Sequence, residues 1–119
     1  MNNHGESAAA ILKEWKNIQS QLIPLFRARD QKNTKEWMEK GITLFLQFLY
    51  LTNNYEPHLT FNEISSDRFK YKPVNLEERM DFIKSRPGLY HSYRQLSELM
   101  IEQEKLFVKS NIVKKSPRP

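Results

Sequence analysis

An arginine and a histidine, Arg86 and His91, stand at a spacing that could support acid–base chemistry on a phosphate. Four residues separate them, and they lie where the last helix is expected to begin. Histidine changes its charge near neutral pH and can therefore move a proton, and an arginine can stabilise negative charge on a phosphate. In a second interpretation, Arg86 bonds loop carbonyls or a carboxylate, and His91 is a solvated or capping residue.

This spacing is similar to the R-x4-H motif of the HEPN ribonucleases. The resemblance implies a ribonuclease that needs no metal, in which His91 moves the proton and Arg86 stabilises the phosphate. The sequence departs from the family's pattern in two places. Pro87 follows Arg86 where the family usually has a polar residue, and a Pro-Gly break separates Arg86 from the helix that carries His91. The ribonuclease is kept as an alternative hypothesis.

A metal site is a further hypothesis, because His91, Glu98 and Glu102 fall on one face of the expected last helix. One histidine and two carboxylates are a thin ligand set when no second helix supplies a histidine. Arg94 stands four residues before Glu98, so an exposed ion pair explains that glutamate more simply. The sequence has no cysteine, which excludes thiolate ligands, a cysteine nucleophile and disulfides. We expect no metal and no cofactor.

Basic and aromatic residues alternate in one short stretch, which consists of Arg68, Phe69, Lys70, Tyr71 and Lys72. Such alternation can hold phosphates and stack on bases, so this stretch is the best candidate for contact with a nucleic acid or another partner. In the other interpretation it is an amphipathic loop. Its two aromatic rings then cover the core while the charges stay in water.

The net charge of +5 is concentrated near the C-terminus. No acidic residue follows Glu104, whereas five basic residues do: Lys105, Lys109, Lys114, Lys115 and Arg118. The rest of the chain is therefore neutral overall. Lys109, Lys114 and Lys115 could add attraction to phosphate that does not depend on sequence, or could simply increase solubility.

Residues 42–51 (ITLFLQFLYL) are apolar except for Thr43 and Gln47, and we expect the chain to fold around them as a buried central helix. A membrane span needs about 20 such residues, so this stretch is a core element. The length of 119 residues, with 39% apolar and 28% charged residues, is typical of one globular domain over residues 1–119. The predicted fold is an all-α, single-domain antiparallel bundle of four main helices. A long loop or short helix separates the central helix from the last two.

Helix boundaries follow from residues that cap or break helices. The expected N-caps of the first three helices are Ser7, Thr34 and Asn75. Pro24 is expected to kink or end the first helix, and Gly41 indicates a close approach of a neighbouring helix. Between residues 53 and 74, Thr60 and Glu63 have the spacing of a capping box for one short helix. Residues 1–6 and 114–119 are expected to be flexible tails.

The last helix is expected to start near Leu89 or Tyr90 and to carry both polar and apolar surface. Its polar face contains His91, Arg94, Glu98, Glu102, Lys105 and Lys109. Its apolar residues lie on more than one face, which could mark a partner surface: Leu99, Ile101, Leu106 and Val108.

Several segments resemble the YpoC-like proteins of Gram-positive bacteria. They are FRARD at residues 26–30 with GITLFL at 41–46, KPVNLEER at 72–79, and SRP at 85–87 with YHSYRQL at 90–96. The resemblance covers most of residues 26–105. It implies a small cytoplasmic helical domain and assigns no catalytic residue. Genes of such proteins tend to neighbour genes for replication initiation and base-excision repair, which implies a DNA-linked role.

These observations predict a cytoplasmic, non-enzymatic binding or adaptor domain. The N-terminal residues lack the basic start and uninterrupted apolar run of a secretory signal. A protein partner or self-association is favoured over nucleic acid, and neither a membrane nor a small-molecule ligand is evident. The alternatives are the ribonuclease based on Arg86 and His91, and a structural subunit of an oligomer.

Overall fold

The computed structural model describes residues 4–55 and 66–115. They form four helices, α1 (His4–Ala28), α2 (Gln31–Asn53), α3 (Leu76–Ser85) and α4 (Tyr90–Lys115), and a 3-10 turn at Ser66–Arg68. Neither range contains a strand, which confirms the all-α prediction. None of the helices in these ranges combines the length and the apolar character that a bilayer span needs.

Consecutive helices run in opposite directions, as the antiparallel bundle requires. Phe26 near the end of α1 contacts Tyr90 at the start of α4, with ring centroids 5.4 Å apart, so α1 and α4 are antiparallel. Phe48 in the second half of α2 packs on Phe107 near the end of α4 at 5.7 Å, so α2 and α4 are parallel. The α1–α2 and α3–α4 connections therefore lie at the same end of the bundle. We call this end, formed by residues 26–31 and 85–94, the turn end.

The middle of α2 is the most enclosed part of the bundle. Phe45, Phe48 and Leu49 are fully buried, whereas Thr43 and Gln47 lie on the outer face. Burying each large apolar side chain stabilises the fold by roughly 1.5–3 kcal/mol. The prediction that residues 42–51 form a buried central helix is confirmed.

Gly41 lets α2 pack closely on its two neighbours. A Cβ atom at this position would lie 2.9 Å from Cζ3 of Trp15 on α1 and 3.0 Å from Cδ2 of Leu96 on α4. Side chains from both helices therefore rest directly on the glycine backbone, which confirms the close approach expected there.

The expected N-cap of α1 is wrong, because the helix begins at His4, before Ser7. Of the two outcomes expected at Pro24, an end of the helix is excluded, since α1 continues through Pro24 to Ala28. Proline removes one hydrogen bond within a helix, but packing on both sides of it opposes a break. Leu22 is fully buried before Pro24, and Phe26 packs on two rings of α4 after it.

Asp30, rather than Thr34, caps α2. Its Oδ1 accepts a hydrogen bond from the Asn33 amide at 3.2 Å, and its Oδ2 accepts one from Asn33 Nδ2 at 2.7 Å. α2 already begins at Gln31, after a link of two residues from the end of α1. Thr34 therefore lies within the helix, where it is buried. Both bonds lower the pKa of Asp30 below its ordinary value, and the bond from the Asn33 side chain contributes more than the bond from the Asn33 backbone.

Asn75 occupies the N-cap position of α3, but it acts through its backbone. It has a left-handed conformation (φ 57°) and makes no capping hydrogen bond with its side chain. Asparagine tolerates this conformation better than most residues, which explains its presence. The proposed capping box of Thr60 and Glu63 lies outside the described residues.

We predict that Gly41→Ala lowers the free energy of unfolding by about 1 kcal/mol. Alanine favours a helix by about 1 kcal/mol, but overpacking costs roughly 1–3 kcal/mol, and the new methyl group would collide with Trp15. Urea unfolding measures the change. Gly5→Ala is the control, because nothing lies within 4 Å of its new Cβ. A Gly41→Ala protein more stable than the wild type would contradict this packing.

We predict that Asp30 makes the stability depend on pH below about 4. Its folded-state pKa is lower than the ordinary value of 3.8. Its contribution is therefore present above pH 3.8 and is lost as the pH falls through the folded-state pKa. Asp30→Asn keeps a capping oxygen but cannot titrate. The free energy of unfolding of this variant should therefore change less steeply with pH below about 4 than that of the wild type. Identical slopes for both proteins would contradict the prediction.

Candidate functional site at the turn end of the bundle

The α1–α2 connection is a tight turn that exposes two arginines. The amides of Arg29 and Asp30 donate to the carbonyls of Phe26 and Leu25, both at 3.1 Å, and this pattern closes α1 as a Schellman motif. Arg29 has φ 56°, at a position where glycine is usual. The side chains of Arg27 and Arg29 are exposed on the turn end.

The α3–α4 connection is fixed by a buried serine. Ser92 Oγ donates to the carbonyl oxygen of Arg86 at 2.6 Å, and the Leu89 amide donates to the same oxygen at 3.2 Å. Ser92 is fully buried, whereas the Arg86 side chain is exposed. The backbone of this turn is therefore held by the bundle while its side chains face outward.

Aromatic rings from the two connections form a cleft between α1 and α4. The Phe26 ring meets Tyr90 edge-on at 5.4 Å and lies 5.5 Å from Tyr93. Ile23 and Arg27 complete the wall of a cleft of about 520 Å³. Tyr90 is 55% exposed and Ile23 is 41% exposed, so the cleft opens to solvent with an apolar lip.

One arginine, Arg27, lines this cleft, and others are exposed elsewhere at the turn end. Four arginines from the two connections and the first turns of α4 are exposed at the turn end: Arg27, Arg29, Arg86 and Arg94. His91 is exposed beside them. The nearest acid in sequence, Asp30, has both oxygens engaged by Asn33. The turn end can therefore attract a negatively charged group and offer it guanidinium donors.

Arg86 and His91, the candidate catalytic pair, approach the same aromatic ring. Cζ of Arg86 lies 5.8 Å from the Phe82 ring centroid, and the His91 ring meets Phe82 edge-on at 5.3 Å. Both side chains are exposed to solvent, and their contacts to Phe82 are explained by aromatic packing. A ribonuclease role of this pair stays an alternative hypothesis.

The carboxylates considered for a metal site face an arginine that the sequence interpretation did not single out. Arg79 on α3 binds Glu102 through two hydrogen bonds of 2.7 and 3.0 Å and lies 3.9 Å from Glu98. Its remaining donors bind the Gln95 side chain and the Val74 carbonyl, both at 3.0 Å. The bond to Glu102 raises the pKa of Arg79, and burial opposes this shift.

This network gives the polar face of α4 a structural explanation. α3 covers part of that face, and Glu102 joins α4 to α3 by binding Arg79. Within residues 4–55 and 66–115, no group of three or more histidine, aspartate or glutamate side chains is placed to hold a metal ion.

The stretch of alternating bases and aromatics crosses the end of the bundle opposite to the turn end. Asn53 binds the Tyr71 backbone at both its amide and its carbonyl, at 2.8 and 2.9 Å, and Gln103 donates to the same carbonyl at 3.1 Å. Phe69 is only 2% exposed and stacks on Tyr50 at 5.7 Å. Its ring cannot stack on a base, which supports the amphipathic-loop interpretation for this residue.

The basic residues of this stretch and of the C-terminal region have different surroundings. Arg68, Lys70 and Lys109 are exposed, and Lys72 is half-buried together with Tyr71. Lys114 and Lys115 belong to the end of α4, and their side chains lie outside the described part. Contact of these residues with a nucleic acid or another partner stays a prediction.

Sequence reasoning missed the cleft residues Ile23, Phe26, Arg27 and Tyr90 as a site. Phe26, Arg27 and Tyr90 belong to segments on which the family resemblance rests, and the sequence pattern gives Ile23 no role. A signal was available, because the first and third connections of an up-down bundle lie at the same end. The basic and aromatic residues of both connections could therefore have been predicted to form one site.

Comparison with known proteins identifies the family. The family described as YpoC-like protein matches residues 5–115. The "Uncharacterized protein YpoC" of Bacillus subtilis (strain 168) is 34% identical over 107 residues, which cover 88% of this chain and 65% of that protein. The chain thus spans slightly less than two thirds of the length of this relative. No solved structure significantly matches the present chain. The match over almost the whole described chain shows that this protein belongs to the YpoC-like family.

Proposed function

We propose that this protein is a cytoplasmic, non-enzymatic binding domain whose turn end holds an acidic segment of a protein partner. The proposal rests mainly on the apolar cleft lined by Phe26, Tyr90 and Arg27, at an end of the bundle that exposes three further arginines. Tyrosine and arginine dominate the binding energy of many protein interfaces. The expected ligand segment carries carboxylates around one bulky apolar or aromatic residue.

The apolar part of the site suits a single anchor residue. Phe26 and Tyr93 pack against each other, and Tyr90 leaves more than half of its surface free for a ligand. A cleft of about 520 Å³ is large enough for an aromatic side chain and its neighbours. Shape therefore favours a short segment with one inserted side chain.

The charged part of the site suits carboxylates. A guanidinium binds a carboxylate through two parallel hydrogen bonds, so Arg27 and Arg29 could each engage one acidic residue beside the anchor. Arg29 adopts a left-handed conformation that costs of order 1 kcal/mol for a residue other than glycine. A binding role for its side chain would explain why an arginine stands there.

A protein partner fits this geometry better than a single-stranded nucleic acid. Single-strand binding surfaces offer several stacking rings along a basic groove. Among the aromatic rings that line the cleft, Tyr90 is the one that is more than half exposed, and the other basic stretch, around Lys70, lies at the opposite end. A DNA-linked role, which the family resemblance implies, would then act through the bound protein.

We predict that Arg27→Glu weakens binding of an acidic peptide with one central tryptophan at least tenfold, because charge reversal replaces attraction with repulsion. Tyr90→Ala should have a similar effect through loss of the anchor contact. NMR titration of the labelled protein gives both the affinity and the residues that shift. Lys70→Glu is the control with the same charge change at the opposite end.

A single-stranded oligonucleotide titrated at two salt concentrations separates the two classes of partner. Salt-dependent oligonucleotide binding that Lys70→Glu removes and Arg27→Glu leaves intact would contradict the proposal. The same conclusion would follow if the acidic peptide caused no shifts at Phe26, Arg27 or Tyr90.

We predict that the purified protein has no ribonuclease activity that depends on His91. Arg86 and His91 are both open to solvent, and their ring contacts to Phe82 do not form an enclosed site. Cleavage of a fluorescent RNA by wild type and His91→Ala tests this, with circular dichroism to confirm equal helicity. Cleavage by the wild type that disappears in His91→Ala would establish the enzyme instead.

A further inference from the structure

A second surface lies along α1 and α4, farther from the turn end. The two antiparallel helices border a groove of about 570 Å³. Its apolar wall is formed by Leu12 and Trp15 of α1 and by Met100 and Ile101 of α4. Trp15 and Met100 are buried, whereas Leu12 is half-buried and Ile101 is 53% exposed. Contact of apolar surface with water is unfavourable, so covering Leu12 and Ile101 would stabilise the molecule.

The apolar surface continues from this groove along α4. Ile101 and Val108 are each 53% exposed, and Ile112 is 64% exposed. Their spacing of seven and four residues places them on one face of the helix. Exposed large apolar residues are common singly, but a row of them beside a groove is typical of a contact surface.

The two sides of the groove carry opposite charges. Lys13 and Lys16 line it on α1, and Glu104 lines it on α4. Gln19 of α1 bonds to Tyr93 of α4, so Glu104 lies eleven residues and Lys13 six residues beyond this level in the same direction. At 1.5 Å per residue their heights differ by about 8 Å, which two long side chains can span, and Lys16 lies about 5 Å farther away. A helix with acidic residues would match the α1 side alone, and a basic helix would match the α4 side alone.

We propose that this groove is covered by a second copy of the chain. A two-fold axis parallel to the helices places α4 of each copy over α1 of the other and leaves the heights of all residues unchanged. Glu104 of one copy then comes within reach of Lys13 of the second copy, and the symmetry repeats this contact. The pairing is self-complementary in charge.

The resulting interface is a four-helix arrangement made of α1 and α4 from each copy. The apolar walls of the two grooves face each other in its centre, where Ile101 of one copy packs near Leu12 of the other. Such packing of helices around a shared apolar core is a common stable arrangement. The pairing uses side chains of the groove, whereas the proposed acidic ligand binds at the turn end.

Charge-reversed variants mixed together test this pairing directly. Glu104→Lys should raise the dimer dissociation constant at least tenfold, because the new lysine meets Lys13 of the second copy and replaces attraction with repulsion. Lys13→Glu combined with Lys16→Glu should have the same effect. An equimolar mixture of the two variants should dimerise, because each copy then supplies the charge that the other needs at both contacts.

Analytical ultracentrifugation of the full chain over a range of concentrations measures each dissociation constant. Ile101→Glu should also abolish the dimer, whereas Val74→Glu, at an exposed apolar residue outside the groove, and Glu36→Lys, on the outer face of α2, should not. Circular dichroism checks that every variant is folded. A wild type that stays monomeric at all concentrations, or a dimer that Glu104→Lys and Ile101→Glu leave intact, would overturn the proposal.

Discussion

The close packing of α2 on Trp15 and Leu96 at Gly41 determines how the other helices are arranged. Since Gly41 has no side chain, Trp15 of α1 and Leu96 of α4 approach the α2 backbone together. This contact brings α1 and α4 side by side, and both candidate surfaces are built from this pair of helices. A larger residue at position 41 would separate α1 and α4, and would change the cleft and the groove together.

Three polar contacts fix the connections and the α3–α4 pair without using the side chains of the two candidate surfaces. Ser92 binds the carbonyl of Arg86 at the turn end, and Asn53 binds the Tyr71 backbone at the opposite end. Arg79 joins α3 to α4 through Glu102. In each case a side chain satisfies groups that helix–helix packing alone would leave without partners. The guanidinium groups of the turn-end arginines and the Tyr90 ring take no part in these three contacts.

Much of the fold could be predicted from local sequence, because helical periodicity and apolar runs report burial directly. Residues 42–51 were correctly identified as the core helix, and Gly41 as a point of close approach. The ends of the helices were harder to predict from the sequence. Thr34 and Asp30 are both good capping residues, and the choice between them depended on the Schellman turn that ends α1. The pairing of Arg79 with Glu102 spans 23 residues, so no local pattern could reveal it. The candidate site combined two connections, and it required the direction of all four helices.

The link of only two residues between α1 and α2 also bears on the order in which the chain folds. Closing a short connection costs little chain entropy, so this helical hairpin can form before contacts between distant segments. The hairpin already contains Trp15 and Gly41, and it therefore presents a formed surface on which α4 docks later. Partial unfolding should accordingly begin with the release of α3 and α4, while the hairpin persists as the more cooperative half of the molecule.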